Sequence, residues 1–300
     1  MAKASAAPRA PMRVKVSRGY RVFQVFNTIL MILICCVMLY PFLYLIAQSF
    51  SSYEAIVAGK VGLLPVDFNL DTYIHVLTDG KFVPMYGNTI IYSIVGTFLA
   101  LLFSAMLAYP LSKPELRGNK IVGPLIIFTM YFGGGMIPSY IVMISLGLRD
   151  TIWGFLLPGL ISTYNVILMR SFFATLPRDL EEAGEMDGLN KIGVFFRIAI
   201  PLSKPIIATM ALFYLVQYWN NWFDAFLYLK TETKFPVALH LRNMISNASG
   251  SSSEDAGEAI ALASNIKSCA MVLTAAPIIC VYPFIQKYFV QGVMIGSIKG

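Results

Sequence analysis

Six times along its 300 residues the chain runs apolar for long enough to cross a bilayer, and that recurrence excludes every ordinary soluble fold. The runs are 29–47, 89–109, 121–146, 153–169, 206–228 and 269–285. A hydrocarbon core about 30 Å thick takes about 20 residues of helix at about 1.5 Å each. In that medium each backbone polar group needs an internal partner, so the runs are predicted to be helices. The expected fold class is all-α: a polytopic membrane protein with six transmembrane helices. Only 13% of residues are charged, about half the share usual in soluble domains, which agrees.

Sixteen of the 23 lysines and arginines fall on one side of these runs and seven on the other. The richer side holds the tail 1–27, the turn with Lys113, Arg117 and Lys120, the stretch from Arg170 to Lys204, and the chain end. Cytoplasmic segments carry such an excess, so both termini are expected in the cytoplasm. Orientation in a lipid bilayer therefore accounts for the net charge of +7, and nucleic-acid binding is not expected. The division is a basic tail 1–27, a transmembrane domain 28–289 and a cytoplasmic tail 290–300. The first run follows the basic tail and reads as an uncleaved signal-anchor, with Pro41 as a kink point.

Several punctuation marks follow. Asn69 or Asp71 suits the cap of a short surface helix, and Asn88 suits the cap of the second run. Gly133, Gly134, Gly135 and Pro138 interrupt the third run, and the freed backbone there needs neighbouring helices or a water-filled cavity. Cys35, Cys36, Cys269 and Cys280 lie inside apolar runs and read as buried spacers rather than disulfides or metal ligands. His75 and His240 stand in separate polar segments, so no metal site is expected.

The longest polar island, residues 176–201, reads LPRDLEEAGEMDGLNKIGVFFRIAIP and falls on the cytoplasmic side. Asp179, Glu181, Glu182, Glu185 and Asp187 crowd into nine of its residues. The spacing predicts two short helices around a turn. Pro177 suits a first helical turn, and Asp179 and Glu181 face the positive end of the dipole. Gly188 fits a position with φ > 0, and Asn190 can cap the next helix. Ala183 and Gly184 leave a bare patch where another surface can approach the backbone. Read by itself, the island is either a docking helix or a solvated acidic face.

This island resembles the EAA loop of ABC importer permeases. Glu182, Ala183 and Gly184 take the Glu-Ala-Ala places, Gly188 follows at the required spacing, and Ile198, Ala199, Ile200 and Pro201 close the pattern. Gly184 for the second Ala and Ile200 for Leu are the departures. The resemblance extends over almost the whole chain. NTIIYS, YWNNWFD and QKYFVQGVMIGSIKG are similar to carbohydrate-uptake permeases of the maltose type, and GGGMIPSY to those importing plant or algal polysaccharide fragments.

The resemblance implies a type I importer permease fold whose loop seats on an ATPase subunit. Coupling residues would be Glu182, Ala183, Gly184, Asp187, Gly188, Ile198 and Pro201, with Glu182 pairing to a basic residue of the ATPase. It implies a second, homologous permease, two ATP-binding-cassette ATPases, an extracytoplasmic solute-binding protein and an oligosaccharide substrate. The tail 290–300 would reach between the ATPases.

The chain has no GxxxxGK[ST] loop, HExxH or GxSxG, so it is expected to be a transport subunit without a cofactor of its own. ATP and Mg would be bound by the partner ATPase. An ion-coupled secondary transporter would carry ionisable groups at mid-membrane, and the only acid within the six runs is Asp224, near the outer end of the fifth. Importers of phosphate, amino acids or metals share the loop and remain the alternative class.

Tyr218, Trp219, Asn220, Asn221, Trp222 and Asp224 bring aromatic faces and amides together in the fifth run. Sugars ask for that mixture, and interhelical hydrogen bonding asks for it equally. A straight helix from Pro201 places Trp219 about 27 Å up, toward the outer side.

Overall fold

The computed structural model describes residues 17–250, 264–281 and 283. Among these the secondary structure is helical throughout, and the tails and the Ser/Gly-rich run after Gly250 lie outside them. The first helix, α1 (Arg18–Ser49), is followed by short α2 (Tyr53–Val57) and α3 (Asp71–Thr78). Next come α4 (Phe82–Leu111), α5 (Asn119–Tyr131) and α6 (Met136–Ser145). Two shorter pieces, α7 (Ile152–Leu156) and α8 (Thr163–Phe173), lead to α9 (Arg178–Met186). Then α10 (Lys191–Leu202) runs into α11 (Lys204–Trp219) at 84°. The chain continues through α12 (Phe223–Tyr228), α13 (Val237–Gly250) and α14 (Ser264–Val281).

Among the described residues α1, α4 and α14 are long and apolar enough to cross a membrane. The bent pairs α5–α6 and α10–α11 make five crossings if each counts as one. α1 buries almost none of its apolar surface and keeps its helix through Pro41, as a helix bathed in apolar solvent does.

The centre of the molecule is α4 packed along α11, with α8 on a neighbouring face. Gly96, Ala100, Ser104 and Ala108 recur every fourth residue on α4, and all four are buried. Small residues at this spacing form one smooth stripe that lets a second backbone come close. The ring of Tyr218 fills the space above Gly96, where an added Cβ would sit 2.7 Å from a ring carbon. Farther down the seam, Ser104 Oγ and Tyr214 Oη share a 2.6 Å hydrogen bond. The opposite face of α4 leaves Ile91, Ile94 and Phe98 exposed, ready for lipid or a partner helix.

Two interruptions in the apolar runs are treated in opposite ways. Between α7 and α8 the helix stops around Pro158 and Gly159, so the fourth run is not the single helix expected from 153–169. Its freed backbone groups are met by one face of α11. Tyr218 Oη donates to the Leu156 carbonyl at 2.9 Å, Gln217 Nε2 donates to the Gly159 carbonyl at 3.1 Å, and the Ser162 amide donates to Tyr214 Oη at 3.2 Å. These three side chains lie at i, i+3 and i+4, the spacing that places them together on a helix surface. Between α5 and α6, bent by 110°, no such cover exists among the described residues. Gly133 and Gly134 are exposed, and an added Cβ at either would meet nothing within 4 Å. Tyr131 and Phe132 stand 74% and 67% exposed beside them.

Other expectations need correction. Asn88 lies inside α4 and caps nothing. Its amide instead donates to the carbonyls of Thr233 and Phe235, pinning the loop before α13. Neither Asn69 nor Asp71 is the cap residue of α3, which is Leu70; Asn69 stands one residue earlier and its side chain accepts the Asp71 amide at 2.5 Å. The fifth run breaks at Asn220 to Trp222, and α11 starts only at Lys204 because of the bend, so Trp219 stands about 22 Å along its helix. Of the cysteines only Cys269 is buried; Cys35, Cys36 and Cys280 are exposed on their helices, and all four are free.

On the side expected to face outward, Asp150, at φ 57, clamps two loops together. Its carboxylate accepts from the amides of Lys230 and Thr231 and from the Thr231 hydroxyl, and Lys234 Nζ lies 2.9 Å away. The Thr231 and Lys230 amides, aided by Lys234, hold this carboxyl well below the usual carboxylate range.

Two outcomes follow from the packing. Gly96→Val drives a side chain into Tyr218 and should cost about 1–3 kcal/mol, read as a lowered Tm of the purified protein in detergent. Asp150→Ala should also lower the Tm at neutral pH. Because the folded pKa is depressed, the difference from the unaltered protein should hold down to about pH 4 and shrink only below it, as the carboxyl takes up its proton.

Candidate functional site

The acidic island folds as two helices about a turn, with α9 and α10 as its arms. Pro177 takes the position just before α9 rather than its first turn, at φ −62 and ψ 124. Asp179 and Glu181 occupy the first turn, where the helix dipole favours them. Gly188 has φ 85, a conformation that costs a residue with a side chain about 1–2 kcal/mol. The Asn190 side chain then accepts the Gly193 amide at 2.7 Å and starts α10. At Gly188 and Asn190 the sequence and the structure agree.

Gly184 corrects the expectation of a bare outer patch. It is buried, and an added Cβ would strike Ile198 Cδ1 of α10, so the close approach at this position is made by the chain itself. Ala183 remains exposed, as do Glu182, Asp187, Gly188 and Pro201. Met186 is 88% exposed and Ile192 is 68% exposed, so the loop presents apolar tips beside its acids. Glu182 forms no ion pair among the described residues, whereas its neighbours do: Glu181 with Lys113, and Glu185 with Lys191. A cleft of about 650 Å³ separates α9 from the end of α4, lined by Tyr109, Lys113, Arg178, Glu181, Ile192 and Phe196.

The aromatic and amide cluster is divided by the structure. Tyr218 and Trp219 are buried; the Trp219 indole N–H donates to the Thr274 carbonyl at 3.0 Å and its ring meets Tyr86 edge-on. These two hold α11 to its neighbours. Asn220 is exposed and bonds back to the Val216 carbonyl. Asn221 and Asp224 bond each other twice, through side chain and amide, and so cap α12. Trp222 is half-buried under the Arg242 guanidinium, 5.0 Å from its ring centre, and the Phe226 ring centre lies 5.2 Å from the same cation.

Residues 100–295 match the family described as "Binding-protein-dependent transport system inner membrane component". The chain belongs to that family. This permease is 42% identical over 286 residues to "Protein LplC" of Bacillus subtilis, covering 95% of the chain and 97% of the relative. It is 38% identical over 279 residues to the "Polygalacturonan/rhamnogalacturonan transport system permease protein YtcP" of the same organism, covering 92% and 97%. Among solved structures, it is similar to a chain of a bacterial ABC transporter involved in import of the acidic polysaccharide alginate. That likeness has a TM-score of 0.84 and 36% identity, over 91% of this permease and 99% of that chain. The permease is thus a multi-pass membrane transport subunit, and its relatives are permeases of ABC importers.

Sequence reasoning missed two features of this permease. The small-residue stripe on α4 was visible as a four-residue spacing inside the second run. Lys113 entered only as a charge that sets orientation, and no local pattern ties it to Glu181, 68 residues away.

Proposed function

We propose that the chain is one of two permeases in a bacterial inner-membrane importer that moves an oligosaccharide into the cell at the expense of ATP hydrolysed by partner subunits. The observation that carries this reading is the loop around Gly188. Glu182 and Met186 are turned outward there, on a scaffold held by Gly184, Ile198 and Asn190. An acid and an apolar tip presented together suit a groove on another protein, and a solvated face has no use for the second. The ATPase supplies ATP and Mg binding, and Glu182 meets a basic residue there. The relatives that import polygalacturonan, rhamnogalacturonan and alginate favour an acidic oligosaccharide, delivered by an extracytoplasmic binding protein.

In this reading the passage runs past the uncovered break at Gly133 and Gly134, whose backbone groups cannot face lipid, and past Trp222, Asn220 and Asn221. Tyr218 and Trp219 support the wall from behind. Six crossings with both termini in the cytoplasm complete the arrangement, with the α7–α8 pair as the fourth.

The complete transporter, reconstituted with its ATPase and a loaded binding protein, tests the assignment. Glu182→Lys and Gly188→Val should abolish uptake and substrate-stimulated ATP hydrolysis while the permease still inserts. Trp222→Ala should lower uptake with basal hydrolysis intact. Normal uptake in the first two variants would reduce the loop to a solvated face. Orientation is checked separately. Single cysteines at Arg117 and Lys230 should react with an impermeant thiol reagent from opposite sides, and labelling of both from one side would remove the six-crossing arrangement.

A further inference from the structure

Glu181 and Glu182 are adjacent on α9, and a helix turns about 100° per residue, so the two carboxylates leave in different directions. Glu182 points out. Glu181 turns back to Lys113, in the turn that follows α4, and the ammonium meets both its oxygens at 2.5 and 2.6 Å. Their side chains are only 13% and 21% exposed, respectively. The other two pairs at this site are Arg178 with Glu115 and Lys191 with Glu185. Both are far more open to solvent, where such contacts contribute little.

What lies behind Lys113 is well packed. Its ammonium sits 4.6 Å over the Tyr109 ring, and that ring packs on Phe173 of α8 and Phe195 of α10. The turn itself is tied down at Leu111, whose carbonyl accepts from Arg170 Nε at 2.9 Å and from Asn119 Nδ2 at 3.2 Å. Asn119 Nδ2 also reaches the Lys113 carbonyl at 3.1 Å. The pair itself stands in the wall of the cleft of about 650 Å³ between α9 and the end of α4.

We propose that Lys113 and Glu181 are a positioning pair that links the docking helix α9 to the end of α4, so that movement imposed on α9 by the ATPase is delivered to the seam between α4 and α11. The inference rests on the function proposed above and adds the route by which the loop acts on the passage. Direct contact through Gly184 and Ile198 carries α9 to α10; the ion pair is the connection to α4.

The test uses the reconstituted transporter and compares Lys113→Met, Glu181→Gln and the exchanged pair Lys113→Glu with Glu181→Lys. Assembly and basal ATP hydrolysis should persist in all three. Stimulation of hydrolysis by the loaded binding protein, and uptake with it, should fall about tenfold in each single variant, within the range of ordinary coupling energies. The exchanged pair should recover most of the loss, which a merely structural role for either residue would not produce. Single variants that keep full stimulation, or an exchanged pair no better than the singles, would overturn the link. Glu182→Lys in the same preparation separates the two ideas. If it uncouples while the Lys113 and Glu181 variants do not, the pair is refuted and the importer assignment stands. If Glu182→Lys is also silent, the assignment of the loop itself fails and the link with it.

Discussion

A hydrocarbon solvent offers no hydrogen bonds, and the structure is arranged around that fact. Where a helix breaks, its liberated amides and carbonyls must be met from elsewhere in the protein, at a cost of several kcal/mol for each one left alone. The α7–α8 break is met by Tyr214, Gln217 and Tyr218, all on one face of α11. That face can reach only because α4, on the other side, is reduced to Gly96, Ala100, Ser104 and Ala108 along the contact. The small-residue seam and the satisfied break are therefore one device. Tyr218 serves both, with its ring over Gly96 and its hydroxyl on Leu156.

The same rule separates what the sequence disclosed from what it concealed. Length and apolarity disclosed the membrane and the helical class, since both depend on the chain alone. The loop at 176–201 was largely legible because its determinants are local: Gly188 for a positive φ, Asn190 for a cap three residues on. The breaks in the fourth and fifth runs were hidden. Pro158 with Gly159, and Asn220 with Asn221, are weak signals in an apolar stretch. Whether the fourth run stops at its pair depends on partners 52 to 62 residues distant. Asn88 was misread for the same reason, since its true partners at Thr233 and Phe235 are far along the chain.

Charge shows the parallel limit. Counting lysines and arginines by side yields an orientation, but it treats each as interchangeable. In the structure Lys113 is singled out by a half-enclosed setting between Tyr109 and Glu181, while Lys191 pairs at the open surface. Asp150 likewise stands apart from the other acids because two backbone amides converge on it. Burial and convergence, rather than residue type, decide which ionic contacts hold the molecule together.

The break between α5 and α6 carries a different consequence. Gly133 and Gly134 receive no hydrogen bond among the described residues, in a stretch whose flanks are otherwise apolar. A backbone left so in lipid carries that deficit, at a cost of several kcal/mol for each unmet group. The bend between α5 and α6 therefore needs protein or water as its neighbour, and its exposed glycines mark one surface of the chain that lipid does not suit.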